Sequence, residues 1–207
     1  MQVKKILVGS FGTNCYLVHD DQNVGVLIDP GFDAETIIRE CEGMDIRYIL
    51  LTHTHFDHFS ALPGVLERFP APVAVYETAA PGLTDRSINV SASFMTGGVE
   101  GKPADLLLKD GEAVKAGGVE LGVLFTPGHT AGDCCYVGDG FLFTGDILFR
   151  CEVGRTDLPG GDYPTLLRSL RRIASLPGDY TVCPGHGDVS TLEYERQNNP
   201  YIREALQ

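Results

Sequence analysis

The chain has 207 residues, with 16 lysines and arginines against 28 aspartates and glutamates, so its formal net charge is −12. Nucleic acids and anionic membranes are bound through clustered basic residues, so this excess of acid argues against both as partners. With 43% apolar and 21% charged residues, the composition is that of a globular protein with a buried core, which excludes a disordered chain. The length predicts a single domain over residues 1–207.

The N-terminal segment and the cysteines both argue against export. The apolar run that follows Lys4 and Lys5 is interrupted at Gly9, so it is too short for a secretory signal and predicts a strand instead. No stretch reaches the roughly 18 apolar residues that span a bilayer. The six cysteines are scattered without metal-site or disulfide-framework spacing. This pattern predicts reduced core cysteines in a cytoplasmic protein.

The first half of the chain alternates between predicted strands and predicted helices. Strands are predicted in the runs KKILVG, NCYLVH, VGVLID, RYILLT and VAVY. Helical spacing of apolar residues predicts helices over 33–41 and from Phe59 to Phe69, with Pro63 tolerated near the start of the second. Residues 81–105 are rich in Gly and Ser and predict a long irregular loop of the kind that is usually functional or mobile.

The second half repeats this order. Strands are predicted in the runs LLLKD, EAVKA, VELGVLFT, DCCYVG, FLFTGD and DYTVCPGHG. Helices are predicted over 163–176 and from Thr191 onwards. The fold class is therefore α+β. Two sheets between helices accommodate this order of elements, although composition and periodicity leave other α+β arrangements open.

Histidine is rare in this chain but concentrated in one window. Three of the six histidines, His53, His55 and His58, lie in the run HTHFDH, together with Asp57. His129, Asp146 and His186 each follow a strand-like run at a Gly. Such positions, on loops at the ends of strands, are where a rigid scaffold presents ligands.

The spacing within the window predicts a metal centre. His53 and His55 are two residues apart in extended backbone and face the same side, whereas Asp57 and His58 follow a turn and project from another angle. A lone Gly-His pair is more often an ordinary core or surface histidine, and we assign His19 no metal role. Three clustered imidazoles and a carboxylate, however, are costly without a compensating ion. Imidazole and carboxylate ligands suit first-row metals such as zinc, iron and manganese.

The runs HTHFDH, TPGHT, TGDILF and PGHG, in this order, resemble the ligand motifs of the metallo-β-lactamase superfamily. The resemblance implies an αββα four-layer sandwich with its site at the edge between the two sheets. It also implies two divalent metal ions, with zinc as the first choice and iron or manganese as alternatives. By motif, the implied ligands are His53, His55 and His129 for one ion, Asp57, His58 and His186 for the other, and Asp146 between them, with Asp29 as support.

The run GDILFRCEVGRTDLPGGDYPTLLRSL resembles the short forms of the glyoxalase II (hydroxyacylglutathione hydrolase) group. This resemblance implies hydrolysis of a small-molecule thioester of the S-2-hydroxyacylglutathione type by a metal-bridging hydroxide. Asp57 is then a catalytic residue that orients the hydroxide. Arg155 matches a substrate-binding position, but an ion pair with Asp157 explains it equally well.

Several alternatives remain open at this stage. The same motifs occur in persulfide dioxygenases, which use one iron at the first histidine group. The ligand set also fits a hydrolase of another ester or of a lactone. It fits, in addition, a metal-binding module without turnover. The lactamase branches lack the bridging aspartate that Asp146 matches. Phe94 and Met95, within the loop predicted over 81–105, are candidate apolar substrate contacts. The oligomeric state is not predicted.

Overall fold

The structure is a computed structural model that describes residues 1–207. It contains two mixed sheets of six strands each. The first sheet has the strand order of the chain: β1 (Gln2–Val8), β2 (Thr13–His19), β3 (Val24–Ile28), β4 (Asp45–Leu51), β5 (Val73–Tyr76) and β6 (Leu106–Leu108). The second also keeps chain order: β7 (Ala113–Ala116), β8 (Val119–Phe125), β9 (Cys134–Gly138), β10 (Phe141–Gly145), β11 (Thr181–Pro184) and β12 (Ser190–Thr191).

Six α-helices accompany the sheets: α1 (Ala34–Glu40), α2 (Leu62–Arg68), α3 (Ser91–Phe94), α4 (Tyr163–Ala174), α5 (Leu192–Asn198) and α6 (Pro200–Ala205). Two 3-10 helices lie at Phe56–His58 and Ala80–Leu83. None of the helices is long and apolar enough to cross a membrane.

The buried side chains form three apolar clusters that separate four layers. One cluster lies between the first sheet and α1 and α2, one between the two sheets, and one between the second sheet and α4, α5 and α6. Strand alternation distributes the residues among them: Leu17 packs towards the helices and Val18 towards the other sheet. Cys134 and Cys135 likewise enter different clusters, as expected for neighbours on a strand. The predicted α+β class and the helix–sheet–sheet–helix arrangement are confirmed.

Two predicted elements differ from the structure. The helix expected from Phe59 begins at Leu62, because residues 56–58 form a 3-10 turn that the Phe59 amide closes onto the Phe56 carbonyl. Pro63 then lies in the first turn of α2, where no intrahelical donor is needed. The segment 81–105 is not wholly irregular, since it contains α3. Buried Asn89 holds it together by donating to the carbonyls of Gly82 and Val99.

The two sheets are joined at one edge by hydrogen bonds between their backbones. The Cys134 amide donates to the Thr52 carbonyl (2.9 Å), and the Asn14 amide donates to the Gly185 carbonyl (2.7 Å). The Tyr16 hydroxyl, from the first sheet, donates to the Pro184 carbonyl of the second (2.7 Å). Strands β3 and β4 run parallel, as do β10 and β11, so their carboxyl ends meet at this edge. The edge therefore collects the residues that follow these strands.

Asn199 links the C-terminal helices to the loop after Asp146. Fully buried, it caps α6 by accepting from the Tyr201 amide, and its own amide donates to the Glu152 carbonyl (3.2 Å) and to Glu195 (2.9 Å). We predict that Asn199→Ala lowers the free energy of unfolding by about 3 kcal/mol, since it removes a cap and leaves buried groups unpaired. Urea unfolding followed by circular dichroism measures this.

The matched control is Asn198→Ala, because Asn198 is exposed and makes a single side-chain bond, to the Tyr194 carbonyl. Its effect should stay within about 0.5 kcal/mol. Equal effects of the two variants would contradict the anchoring role of Asn199.

Candidate metal centre

The seven side chains singled out from the sequence meet at the joined edge of the two sheets. His53 and His55 follow β4, Asp57 and His58 lie in the 3-10 turn, and His129, Asp146 and His186 follow β8, β10 and β11. Side-chain nitrogen and oxygen atoms of these residues fall into three groups in which all candidate ligand atoms lie within 4.8 Å of one another: His53, His55 and His129; His53, His58 and Asp146; and Asp57, His58 and His186.

The first group contains only imidazoles. Nε2 of His129 lies 2.8 Å from Nδ1 of His55, and the rings of His53 and His55 are 4.8 Å apart. Nε2 of His53 and Nε2 of His55 are buried and have no hydrogen-bond partner. Nδ1 of His55 faces His129, so the unpartnered nitrogen that points into the cluster is Nε2 of His53, which is costly to bury unless a cation is bound there.

Asp57, His58 and His186, here called the second group, combine imidazoles with a carboxylate, and Asp146 lies between this group and the first. Nε2 of His186 lies 3.3 Å from Nε2 of His58 and 3.2 Å from Oδ2 of Asp57. His58 is fully buried, whereas His186 retains partial exposure at the rim. This group is therefore the more accessible end of the cluster.

Asp146 lies between the two groups. Its Oδ2 is 3.6 Å from Nε2 of His129 and 3.5 Å from Nε2 of His186, while its Oδ1 is 3.4 Å from Nε2 of His58. A side chain at Gly185 would collide with both Asp146 and His58, so this glycine permits the close approach. Asp146 thus contacts imidazoles of both groups, which is the position expected of a shared ligand.

Hydrogen bonds on the outer ring nitrogens fix the tautomers of two histidines through Asp29. The Thr52 hydroxyl donates to Asp29 (2.7 Å), so it accepts from Nδ1 of His53 (3.2 Å). Nδ1 of His58 donates to the same carboxylate (3.0 Å). With the proton on Nδ1, each ring turns an unprotonated Nε2 towards the centre, as in metal-bound histidines. Asp29 therefore has the supporting position expected from the sequence.

Two backbone carbonyls fix the tautomers of His129 and His186 in the same way. Nδ1 of His129 donates to the Arg155 carbonyl (2.7 Å), and Nδ1 of His186 donates to the Phe11 carbonyl (3.2 Å). Carbonyl oxygens only accept, so Nε2 of each ring is again a free lone pair. Lone pairs from four histidines thus point inwards, and a cation is the group that satisfies them together.

The electrostatics differ between the histidines: burial keeps His53 and His55 neutral, whereas the neighbouring carboxylates of Asp146 and Asp57 outweigh burial and raise the pKa of His58 and His186. Burial and the neighbouring imidazoles lower the pKa of His53 well below its usual value, and burial lowers the pKa of His55 to about 3. Both are neutral at pH 7. Burial alone would raise the pKa of Asp146, but His58 and His186 outweigh it and hold that pKa well below its usual value. Neutral imidazoles with an ionised carboxylate fit zinc, iron or manganese.

The sequence predicted the side chains that face the centre, but it did not predict two residues that hold these side chains in position. Thr52, next to the window, gave no sign of its link to Asp29. Buried Asp133 accepts from the amides of Gly128 and Thr130 and so fixes the loop that carries His129. Its place four residues after His129, in TPGHTAGD, is the signal that could have found it.

Arg155 lies beside the centre, but its side chain is exposed and paired with Asp157, with two nitrogen–oxygen distances of 2.7 Å. The ion pair weighed against substrate binding is thus present in the structure. Burial has little influence on this pair, and the guanidinium lowers the pKa of Asp157 to about 2. His19 lies away from the centre, with Nδ1 bonded to the Asp20 carbonyl.

A comparison with known protein families shows to which family the chain belongs. The model of the metallo-beta-lactamase superfamily matches residues 8–186, which span all seven candidate ligands. The chain belongs to the metallo-beta-lactamase superfamily. A superfamily member from Haemophilus influenzae, named hydroxyacylglutathione hydrolase GloC, is 32% identical over 208 residues, covering 98% of this chain and 98% of that protein.

Two solved structures resemble the chain over nearly its whole length. The BLEG-1 B3 metallo-beta-lactamase has a TM-score of 0.91 and 38% identity, covering 97% of this chain and 99% of that one. TTHA1623 in a di-iron-bound form has a TM-score of 0.84 and 34% identity, covering 96% and 99%. The metallo-β-lactamase fold implied by the motifs is confirmed, and metal-dependent hydrolysis is the activity class that the superfamily supports.

We predict that the protein retains about two divalent ions per chain after dialysis, one at each ligand group. His55→Ala and His186→Ala should each lose about one ion, because each removes one ligand from a different group. Elemental analysis of the dialysed proteins measures the content, and His19→Ala is the matched control that should retain both. A wild-type content of one ion, unchanged in His186→Ala, would exclude the second site.

Proposed function

We propose that this protein is a dinuclear metal-dependent hydrolase that cleaves a thioester of the S-2-hydroxyacylglutathione type. The observation that carries the proposal is the pair of ligand groups, one of imidazoles alone and one with a carboxylate, with Asp146 in contact with both. The presence of the complete group of Asp57, His58 and His186 favours a two-metal hydrolase over a one-iron dioxygenase with the same motifs. The likeness to GloC, whose name states this activity, supports the choice of substrate.

The reaction consumes one water molecule. A carbon–oxygen bond forms at the thioester carbonyl and the carbon–sulfur bond breaks, so the products are a 2-hydroxy acid and a thiol that takes up a proton. Divalent ions at such a centre polarise the carbonyl and lower the pKa of water from about 15.7 towards about 7. No serine or cysteine nucleophile is needed, and the six cysteines are free, five of them buried.

Asp57 is the residue we assign to orienting the attacking water. Burial opposes its charge, but His58 and His186 outweigh burial and lower the pKa of Asp57. The carboxylate is therefore ionised at neutral pH and can accept a hydrogen bond from water at the more accessible end of the cluster. We propose zinc as the first choice of metal, with iron or manganese as alternatives. The similar structure of TTHA1623 is of a di-iron-bound form, which supports iron as an alternative.

Arg155 is the residue we assign to binding a carboxylate of glutathione. It is exposed and lies at the His129 end of the centre, because its own carbonyl holds that ring. Its partner Asp157 is exposed too, so substrate carboxylate can compete for the guanidinium at little cost. Binding there places the thiol portion of the substrate at the His129 end.

The metal-loaded protein should hydrolyse S-lactoylglutathione with release of one thiol per thioester, measured with a thiol reagent. Asp57→Asn should reduce kcat by about 100-fold, the usual order for a lost acid–base group, and elemental analysis should show that it keeps its metal. Oxygen consumption with glutathione persulfide by a one-iron protein would overturn the proposal. Hydrolysis of a β-lactam or a lactone without thiol release would move the activity to another substrate class.

Arg155→Ala should raise KM for S-lactoylglutathione about threefold, the size of an exposed charge contact, with a smaller effect on kcat. The same variant should leave KM for S-lactoyl-N-acetylcysteamine unchanged, since that thioester lacks carboxylates. Arg47→Ala is the matched control, because Arg47 forms an equally exposed ion pair with Asp45 far from the centre. If both thioesters respond equally, Arg155 shapes the loop and does not bind substrate.

A further inference from the structure

Four phenylalanines form a cluster beside the metal centre, here called the aromatic patch: Phe11, Phe32, Phe56 and Phe94. They come from four separate parts of the chain, namely the turn between β1 and β2, the loop before α1, the 3-10 turn and α3. The ring of Phe11 is 5.4 Å from that of Phe56 and 6.5 Å from that of Phe94, and Phe56 and Phe94 stack at 5.9 Å.

The outer members of the patch are only half covered. Phe11 is 48% exposed and Phe94 is 49% exposed, whereas Phe56 beneath them is 2% exposed. Met95, next along the chain, is 37% exposed and adds to the same surface. A contiguous apolar surface in contact with water marks a place where another group binds, because covering it releases water.

The patch is continuous with the metal centre. Phe56 lies between the candidate ligands His55 and Asp57 in the sequence. The backbone carbonyl of Phe11 accepts the hydrogen bond from Nδ1 of His186 (3.2 Å). Whatever covers the patch therefore lies next to the more accessible ligand group. This continuity identifies the occupant as part of the substrate held at the centre.

The two ends of the centre differ in chemistry. Arg155 holds His129 on one side of Asp146, and Phe11 holds His186 on the other. One side thus offers a guanidinium and the other offers uncharged aromatic rings. Glutathione carries two carboxylates and an ammonium group and gains nothing from phenylalanine rings. The acyl side of the thioester is the part that suits them.

We infer that the aromatic patch, through Phe11 and Phe94, determines acyl specificity by binding an apolar aryl or branched-alkyl side chain of the 2-hydroxyacyl group. This inference rests on the proposed thioesterase function and extends it, since it states which acyl groups the enzyme prefers and how the substrate lies across the centre. The thiol portion lies towards Arg155 and the acyl side chain towards Phe11.

The test compares kcat/KM for S-mandeloylglutathione, which has a phenyl side chain, with kcat/KM for S-lactoylglutathione, which has a methyl group. The wild-type enzyme should favour the mandeloyl substrate. Phe11→Ala and Phe94→Ala should each lower the mandeloyl-to-lactoyl ratio about fivefold, as expected when part of a half-open apolar wall is lost. Phe11→Ala keeps the carbonyl that accepts from His186, so the loss reports on the ring.

Phe94→Leu keeps an apolar side chain and should recover part of the ratio. Leu107→Ala is the matched control, because Leu107 on β6 is 56% exposed and lies outside the patch. The mandeloyl-to-lactoyl ratio of Leu107→Ala should equal that of the wild type. If the mandeloyl-to-lactoyl ratio is unchanged in Phe11→Ala and Phe94→Ala while thioester hydrolysis is intact, this inference is refuted and the proposed function is not.

A second measurement separates this inference from the proposed function. Mandelate and lactate are the acid products, and their binding to the metal-loaded protein can be measured by calorimetry without any thioester. Mandelate should bind about fivefold more tightly in the wild type than in Phe11→Ala, while lactate binding changes less. If no thioester is hydrolysed but this difference is seen, the proposed function fails and the apolar subsite stands. Equal loss of both acids would refute the subsite.

Discussion

The structure depends on an electrostatic constraint: buried lone pairs and carboxylate oxygens from separate segments are directed at one another. Nε2 of His53 has no hydrogen-bond partner, and neither has Oδ1 of Asp146. Buried acceptors without donors are among the most costly features a fold can contain. A cation bound among them would convert that cost into stabilisation and would link metal binding to folding.

Holding such groups together requires support from outside the cluster. The two sheets supply it by joining their backbones where the ligands emerge, through the Cys134–Thr52 and Asn14–Gly185 hydrogen bonds. Asp29 then fixes two histidines, one directly and one through Thr52. The acceptors that orient the imidazoles are thus main-chain carbonyls or buried side chains, which move little when substrate binds. A centre held in this way is preorganised for the charge that develops during hydrolysis.

The sequence predicted the ligands far better than their supports, for a physical reason. Strand periodicity places His53 and His55 on one face, and glycine turns mark His129 and His186, because these are local features of the chain. The carbonyls of Phe11 and Arg155 carry no residue-specific signal, since any residue has one. The start of α2 at Leu62 was also missed, because the 3-10 turn is set by the contact of His58 with Asp29, which is distant in sequence.

The same carbonyls explain why the two ends of the centre can differ. The backbone carbonyls of residues 11 and 155 orient His186 and His129. The side chains at these two positions are therefore not needed to hold the candidate ligands in place. The chain places an aromatic ring at one and a guanidinium at the other, in a protein whose net charge is −12. The Arg155 guanidinium, although paired with exposed Asp157, puts a positive charge beside the centre that can attract an anionic group, while the acidic surface repels such groups elsewhere. Substrate polarity and orientation can therefore be set at two positions without disturbing the ligands.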